Sequence, residues 1–169
     1  MKTIILFRHG KSDWKADYDE DHERPLAKRG DKAARRMGEF LARSGQVPER
    51  ILSSSAVRAR ETVRLATESG GWTCPVTIEP LLYAASPGDV LDRIRTEPDD
   101  VASLMLAGHE PAWSELASAL TGGGALRFPT AAMARIDMDA ESWSEVETGR
   151  GELIWFIVPR LLKNLVLDR

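Results

Sequence analysis

One cysteine, Cys74, stands in a chain of 169 residues, so no disulfide can form within it, and a reducing compartment is the expectation. Long apolar runs are missing too. None approaches the roughly 20 residues that a membrane-spanning helix needs. The N-terminus has only Lys2 ahead of a short apolar run, too brief for the core of a secretory signal. An excess of positive charge is also absent: 23 Lys and Arg stand against 26 Asp and Glu, for a net charge of −3. Such a chain has no general attraction for nucleic acid or an anionic membrane, so neither is expected as a partner and any anion site must be local. These absences together describe a cytoplasmic protein.

Several chemistries lack their residues. There is no H-x-x-x-H and no C-x-x-C, and His109-Glu110 runs into Pro111 rather than a second ligand, so neither a metal nor another cofactor is expected. "HGKS" carries Gly10-Lys11-Ser12, the tail of a P-loop, but the glycine required five residues earlier is Ile5. The phosphate-cradling loop is therefore missing. Cysteine-based phosphoryl transfer needs cations around its thiolate, and "PVTIEPL" after Cys74 contains no arginine. G-x-S-x-G, the serine hydrolase elbow, is absent as well.

What is present is a soluble-protein mixture, 43% hydrophobic and 29% charged, long enough for one domain over 1–169 and too short for two ordinary ones. Strand-length apolar runs alternate with helix-period segments. Ile4 to Phe7 reads as a strand buried on both faces, followed by a polar, acidic loop from Lys11 to Lys28. Ala33, Ala34, Met37, Phe40 and Leu41 form one helical stripe that Gly45 stops. Arg50 to Ser54 reads as a strand, and Ser55 as the N-cap of a helix through Val63 and Ala66 to Gly70-Gly71. "PVTIE" is a further strand, "SPGDVLDRIRTE" a short helix and "VASLMLAGHEP" a second buried strand. Pro111, at a first helical position, opens a helix burying Trp113, Leu116, Ala117 and Leu120, closed by Gly122 to Gly124. "AAMARIDMD", "SWSEVETG" and "ELIWFIVP" read as strands joined by short turns, which makes part of the sheet antiparallel. The expected fold is α/β, a three-layer α/β/α sandwich on a mostly parallel central sheet.

Histidine is scarce, with three residues, yet His9 and His109 each stand just past a buried strand and beside a glycine. Ligands of open α/β sheets bind beyond the carboxyl ends of the strands, so both imidazoles face one crevice if their strands are neighbours. Two hydrogen-bonded structural histidines are the plainer alternative. Arg8 adds a guanidinium beside His9. "SSSAVRARETV" places Arg58 in the first turn of a helix, where free N–H groups already favour anions and the arginine fork matches a phosphate. Periodicity does not separate Arg58 from Arg60. Arg8, His9, Arg58 and His109 would form a cationic pocket in an acidic protein. The remaining chemistry is then histidine itself as nucleophile: one ring nitrogen attacks phosphorus while the other gives its proton to a carbonyl. The guanidinium groups and the second imidazole stabilise the phosphoryl oxygens.

At this point "LFRHGKSDW", "SSSAVRARET" and "LAGHEP" resemble, in order, the three motifs of the histidine phosphatase superfamily, also called phosphoglycerate-mutase-like. They span about two-thirds of the chain. "ERPLAKRG", "FPTAAMARI" and the chain length resemble most the short SixA-type phosphohistidine phosphatases. The resemblance implies that His9 is the phosphorylated nucleophile, that Arg8 and Arg58 clamp the phosphoryl oxygens, and that His109 stabilises the group in transfer. It selects Arg58 over Arg60, because Arg58 stands four residues before Thr62. It also implies a phosphoglycerate-mutase-like fold. Ser55 departs from the family's usual proline, and Ala27 from a common capping serine or threonine.

The larger family places an acidic proton donor in an insertion that is short here, where "EPLLYAASPGDV" offers Glu79 and Asp89. In the SixA-like branch the candidate is an aspartate ahead of R-P-L, which is Asp21 in this chain. A phosphoramidate nitrogen can be protonated before its bond breaks, so it needs a donor less than an alkoxide does. Lys11 and Ser12 are within sequence reach of phosphate oxygens, though a plain turn accounts for them as well. Arg24 is expected to pair with the acidic loop, His22 to be a solvated loop residue, and the tryptophans to be core or rim. The leading expectation is a phosphatase acting on protein phosphohistidine, with a histidine-phosphotransfer signalling protein as partner. A phosphatase of a small phosphoester metabolite is the alternative, and a non-catalytic phosphate-binding module ranks below both.

Overall fold

A computed structural model describes residues 1–165. Its core is one six-stranded sheet: β1 (Lys2–Arg8), β2 (Arg50–Ser54), β3 (Val76–Glu79), β4 (Ser103–Gly108), β5 (Met133–Met138) and β6 (Gly151–Ile157), in the order β3-β2-β4-β1-β5-β6. The first four pair in parallel, while β5 runs antiparallel to both β1 and β6. The central strands are apolar on both sides because both sides are covered. Ile4 and Leu6 of β1 pack with Leu104 and Leu106 of β4 on one face, and Ile5 and Phe7 with Met105 and Ala107 on the other.

Four helices supply the outer layers: α1 (Lys28–Arg43), α2 (Val57–Gly70), α3 (Pro87–Ile94) and α4 (Ala112–Leu120). Met37 and Leu41 of α1 join Val63 and Ala66 of α2 against the Phe7 face. Val90 and Ile94 of α3 join Trp113, Leu116 and Leu120 of α4 against the Ile4 face. This is the three-layer α/β/α sandwich the periodicities predict. Helices α1 and α2 approach backbone to backbone at Gly38, where an added Cβ would lie 2.1 Å from the Ala66 carbonyl oxygen.

Three element expectations are corrected. "SWSEVETG" is not a strand: Trp143–Glu145 is a 3₁₀ turn, with Ser142 and Glu145 reciprocally capping it and the Trp143 ring fully buried. Local capping chemistry outweighs its alternation here. Ser55 does not cap α2 either. Ala56 is the N-cap residue and its N–H reaches Ser54 Oγ at 3.3 Å, while the Ser55 hydroxyl pairs with His22. At α4 the helix starts one residue later than expected, with Pro111 as the N-cap. Among the described residues no helix is long and apolar enough to cross a membrane.

Candidate active site

The pairing of β1 with β4 sets Arg8 opposite Gly108, so His9 and His109 leave adjacent strands side by side. The His9 N–H donates to the Gly108 carbonyl at 3.0 Å, and the two imidazole centroids stand 5.1 Å apart. The next residue, Gly10, is pressed against α1, where a Cβ would meet the Gly30 carbonyl oxygen at 2.9 Å. Its N–H donates to Thr62 Oγ1 at 2.9 Å, and that hydroxyl donates to the Arg58 carbonyl at 2.7 Å. Thr62 therefore ties the His9 loop to the turn of α2 that carries Arg58.

Each imidazole has one nitrogen engaged. His9 Nδ1 donates to the Gly10 carbonyl at 2.7 Å, which leaves Nε2 with a free lone pair. His109 Nε2 lies 2.7 Å from Ser54 Oγ. That hydroxyl accepts from the Ala56 N–H and, among the described residues, has His109 Nε2 as the acceptor for its own proton; in the tautomer where it donates there, the imidazole proton sits on Nδ1. His109 Nδ1, Arg8 Nε and Arg58 Nε are buried without a hydrogen-bond partner among the described residues. Buried donors are normally satisfied, and three such orphans on neighbouring side chains suit an oxyanion.

Arg8, His9, Ser12, Arg58 and His109 line one cavity of about 210 Å³, together with Lys11, Trp14, Arg24, Glu110 and Thr130. Two roomier depressions, of about 620 and 560 Å³, lie beside Gly122–Gly124 and along the β5–β6 hairpin, and neither is lined by a histidine. Arg58 is 5% exposed whereas Arg60 is a surface residue. Arg8 Nη1 donates to the Phe128 carbonyl at 2.7 Å, which fixes its reach.

Burial sets the electrostatics. It lowers His9 to a pKa of about 3, helped by the nearby His109, Arg58 and Arg8. It lowers His109 to about 4, with the Arg58 charge next in importance. Both rings are neutral at pH 7. Arg8 is lowered as well, again chiefly by burial.

Asp21 does not line the cavity and is half exposed. It holds Arg58 by two bonds, from Nη1 to the Asp21 carbonyl at 2.8 Å and from Nη2 to Oδ2 at 3.1 Å. Its carboxylate also accepts from Arg24 Nη2 at 2.8 Å and from the Tyr83 hydroxyl at 2.9 Å. The Arg24 bond, then those of Tyr83 and Arg58, bring its pKa down to about 2. Arg24 also donates to Ser12 Oγ, so it pairs with the acidic loop as expected and reaches the cavity too. Glu79 is elsewhere, bound to Arg93 at 2.7 Å, and Asp89 caps α3.

The sequence reading missed Ser54 and Tyr83. Ser54 ends β2, the neighbour of β4, so its place past a central strand was the available signal. Tyr83 comes from a 3₁₀ turn over Pro80–Tyr83 and packs edge-on to both His22 and His109. No local pattern marks it. His22 is not simply solvated: it is half buried on the rim, 2.9 Å from Ser55 Oγ. Among the described residues no group of three or more His, Cys, Asp or Glu is placed to hold a metal ion.

The sheet order, the helices on both faces and the paired imidazoles past β1 and β4 define a phosphoglycerate-mutase-like protein. The family profile described as "Histidine phosphatase superfamily (branch 1)" matches residues 4–102, and the chain belongs to that superfamily. An uncharacterized protein of Mycobacterium leprae (strain TN) is 36% identical over 165 residues, covering 90% of this chain and 99% of its own. Of solved structures, the protein histidine phosphatase SixA complexed with tungstate superposes with a TM-score of 0.82 at 26% identity, covering 95% of this chain and 99% of that one. A SixA-type protein from Agrobacterium tumefaciens gives 0.79 at 27% identity, covering 94% and 98%. This protein is therefore a phosphatase.

Proposed function

We propose that the phosphatase hydrolyses phosphohistidine on a cytoplasmic protein partner through a covalent phosphoryl group on His9. The observation that carries the reading is the state of His9: buried, neutral, its Nδ1 proton committed to Gly10 and its Nε2 open to the cavity shared with Arg8, Arg58 and His109. The Nε2 lone pair forms a bond to phosphorus as the bond from phosphorus to the substrate nitrogen breaks. The positive charge arising on His9 is met by the Nδ1–H···O=C bond. Arg8, Arg58 and the His109 Nδ1–H stabilise the three phosphoryl oxygens, and Ser12 lies within the same lining. Water then attacks phosphorus, inorganic phosphate leaves, and His9 returns to its neutral form.

The leaving group follows from the acids present. Asp21 is ionised at neutral pH and half exposed, and His109 is neutral. Neither is tuned as a strong proton source for an alkoxide. We assign Asp21 to holding Arg58 rather than to proton donation. A substrate imidazole protonated on its far nitrogen leaves as a neutral molecule and needs no such acid. The single, partly buried Cys74 thiol agrees with a reducing cytoplasm.

During turnover of a phosphohistidine protein, acid-labile phosphate is expected on the wild-type chain. In His9→Ala the label should be absent and the rate lower by roughly 10³-fold or more. Sustained turnover by that variant would refute the mechanism. Faster turnover of small alkyl phosphoesters than of phosphohistidine would move the substrate to that class.

A further inference from the structure

Trp14 lines the His9 cavity but has no part in the chemistry above. Of the five tryptophans, Trp72, Trp113 and Trp143 are buried and Trp155 half buried, whereas Trp14 is 64% exposed. An indole is ordinarily fixed by burying its large surface. This one is fixed by a cation: the Arg24 guanidinium lies 3.6 Å from the ring centroid. Arg24 is itself buried and held by the Asp21 carboxylate and the Ser12 hydroxyl. Asp21 in turn holds Arg58. The orientation of an exposed aromatic ring at the cavity is thus built into the same network that orients a phosphoryl clamp.

We propose that Trp14 is a specificity-determining residue that stacks on the planar leaving group of the substrate, the imidazole ring of a phosphorylated histidine side chain. The inference rests on the function proposed above and assigns a residue to the leaving-group side of that reaction. Size favours a small ring. At about 210 Å³ the cavity is below the roughly 300–1,000 Å³ of sites that enclose drug-sized ligands, and it has room for a phosphoryl group and a five-membered ring. Shape favours a flat ring. Arg24 occupies one face of the indole, and its other face can stack on the plane of an imidazole, whereas the tetrahedral nitrogen and alkyl chain of a phosphorylated lysine offer no plane to stack on.

The test compares two N–P compounds that differ in the ring, 1-phosphoimidazole and phosphoramidate. The readout is the ratio of their kcat/KM values, which does not depend on how much of a variant is folded. Trp14→Ala is expected to lower the ratio by about tenfold, the size of a lost stacking contact. Trp14→Phe should hold it within about twofold of wild type. An unchanged ratio in Trp14→Ala, whether both rates fall together or neither does, would overturn the assignment. So would a ratio in Trp14→Phe as low as in the alanine variant. Failure of the underlying function would show separately, as no acid-labile phosphate on wild-type His9 from either compound.

Discussion

His9 and His109, the paired imidazoles of the candidate site, connect its charge state to stability through their protonation. Each is neutral in the folded protein down to about pH 3 and 4 respectively, while in the unfolded chain each takes up a proton near the ordinary 6.5. Between those values the unfolded state binds more protons, so stability must fall as pH falls. The contribution is fully present above 6.5 and is lost at about 1.4 kcal/mol per pH unit for each imidazole below it. Asp21 acts in a lower window, since its stabilising ion pairs are lost only as pH drops from 3.8 toward about 2. Urea unfolding between pH 6 and 4.5 should show the steep slope in wild type and roughly half of it in His9→Gln or His109→Gln. The same slope in all three would mean that the imidazoles are not desolvated. At this scale the sequence was informative where chemistry coincides with a strand end, as at Arg8, His9 and His109. It was silent where a side chain arrives from a turn, as at Tyr83, and its periodicity left Arg58 and Arg60, which share one helical turn, to be separated by the family resemblance. Only packing against the sheet buries one and leaves the other in water.

Among the elements, α1 and α2 cover the Phe7 face of the sheet, and their spacing is set by Gly38. Any Cβ there collides with the Ala66 backbone, which no rotamer change relieves. Gly38→Ala should therefore destabilise the protein by about 1–3 kcal/mol, as overpacking does, and lower Tm by roughly 2–4 °C per kcal/mol for a chain of this size. Thermal melts with and without the substitution check this, and an unchanged Tm would show that the helices can separate freely. The helices and buried strands were legible because their apolar periods are long and regular, as in the α1 stripe of Ala34, Met37 and Leu41. The errors fell where side-chain hydrogen bonding, local or from far along the chain, competes with pattern. Ser142 and Glu145 close a 3₁₀ turn within an alternating run, and the Ser55 hydroxyl is taken by His22, a residue 33 positions earlier.

For the whole molecule, the two apolar cores are not separable, because β1 supplies Ile4 and Leu6 to one and Ile5 and Phe7 to the other. Losing either core exposes the back of the other, so the chain is expected to unfold in one cooperative step, as a single domain. Calorimetry checks this: the calorimetric and van't Hoff enthalpies should agree, and two resolved transitions would contradict it. The three-layer arrangement was readable from the alternation of strands and helices, but the strand order was not, since nothing local says that β4 lies between β2 and β1. That interleaving has a consequence for how the enzyme comes into being. A ribosome delivers His9 early and His109 a hundred residues later, and the second must thread between two strands already made. The candidate site can thus be completed only once about two-thirds of the chain has been made, and a nascent chain released before that point carries His9 with no His109 beside it.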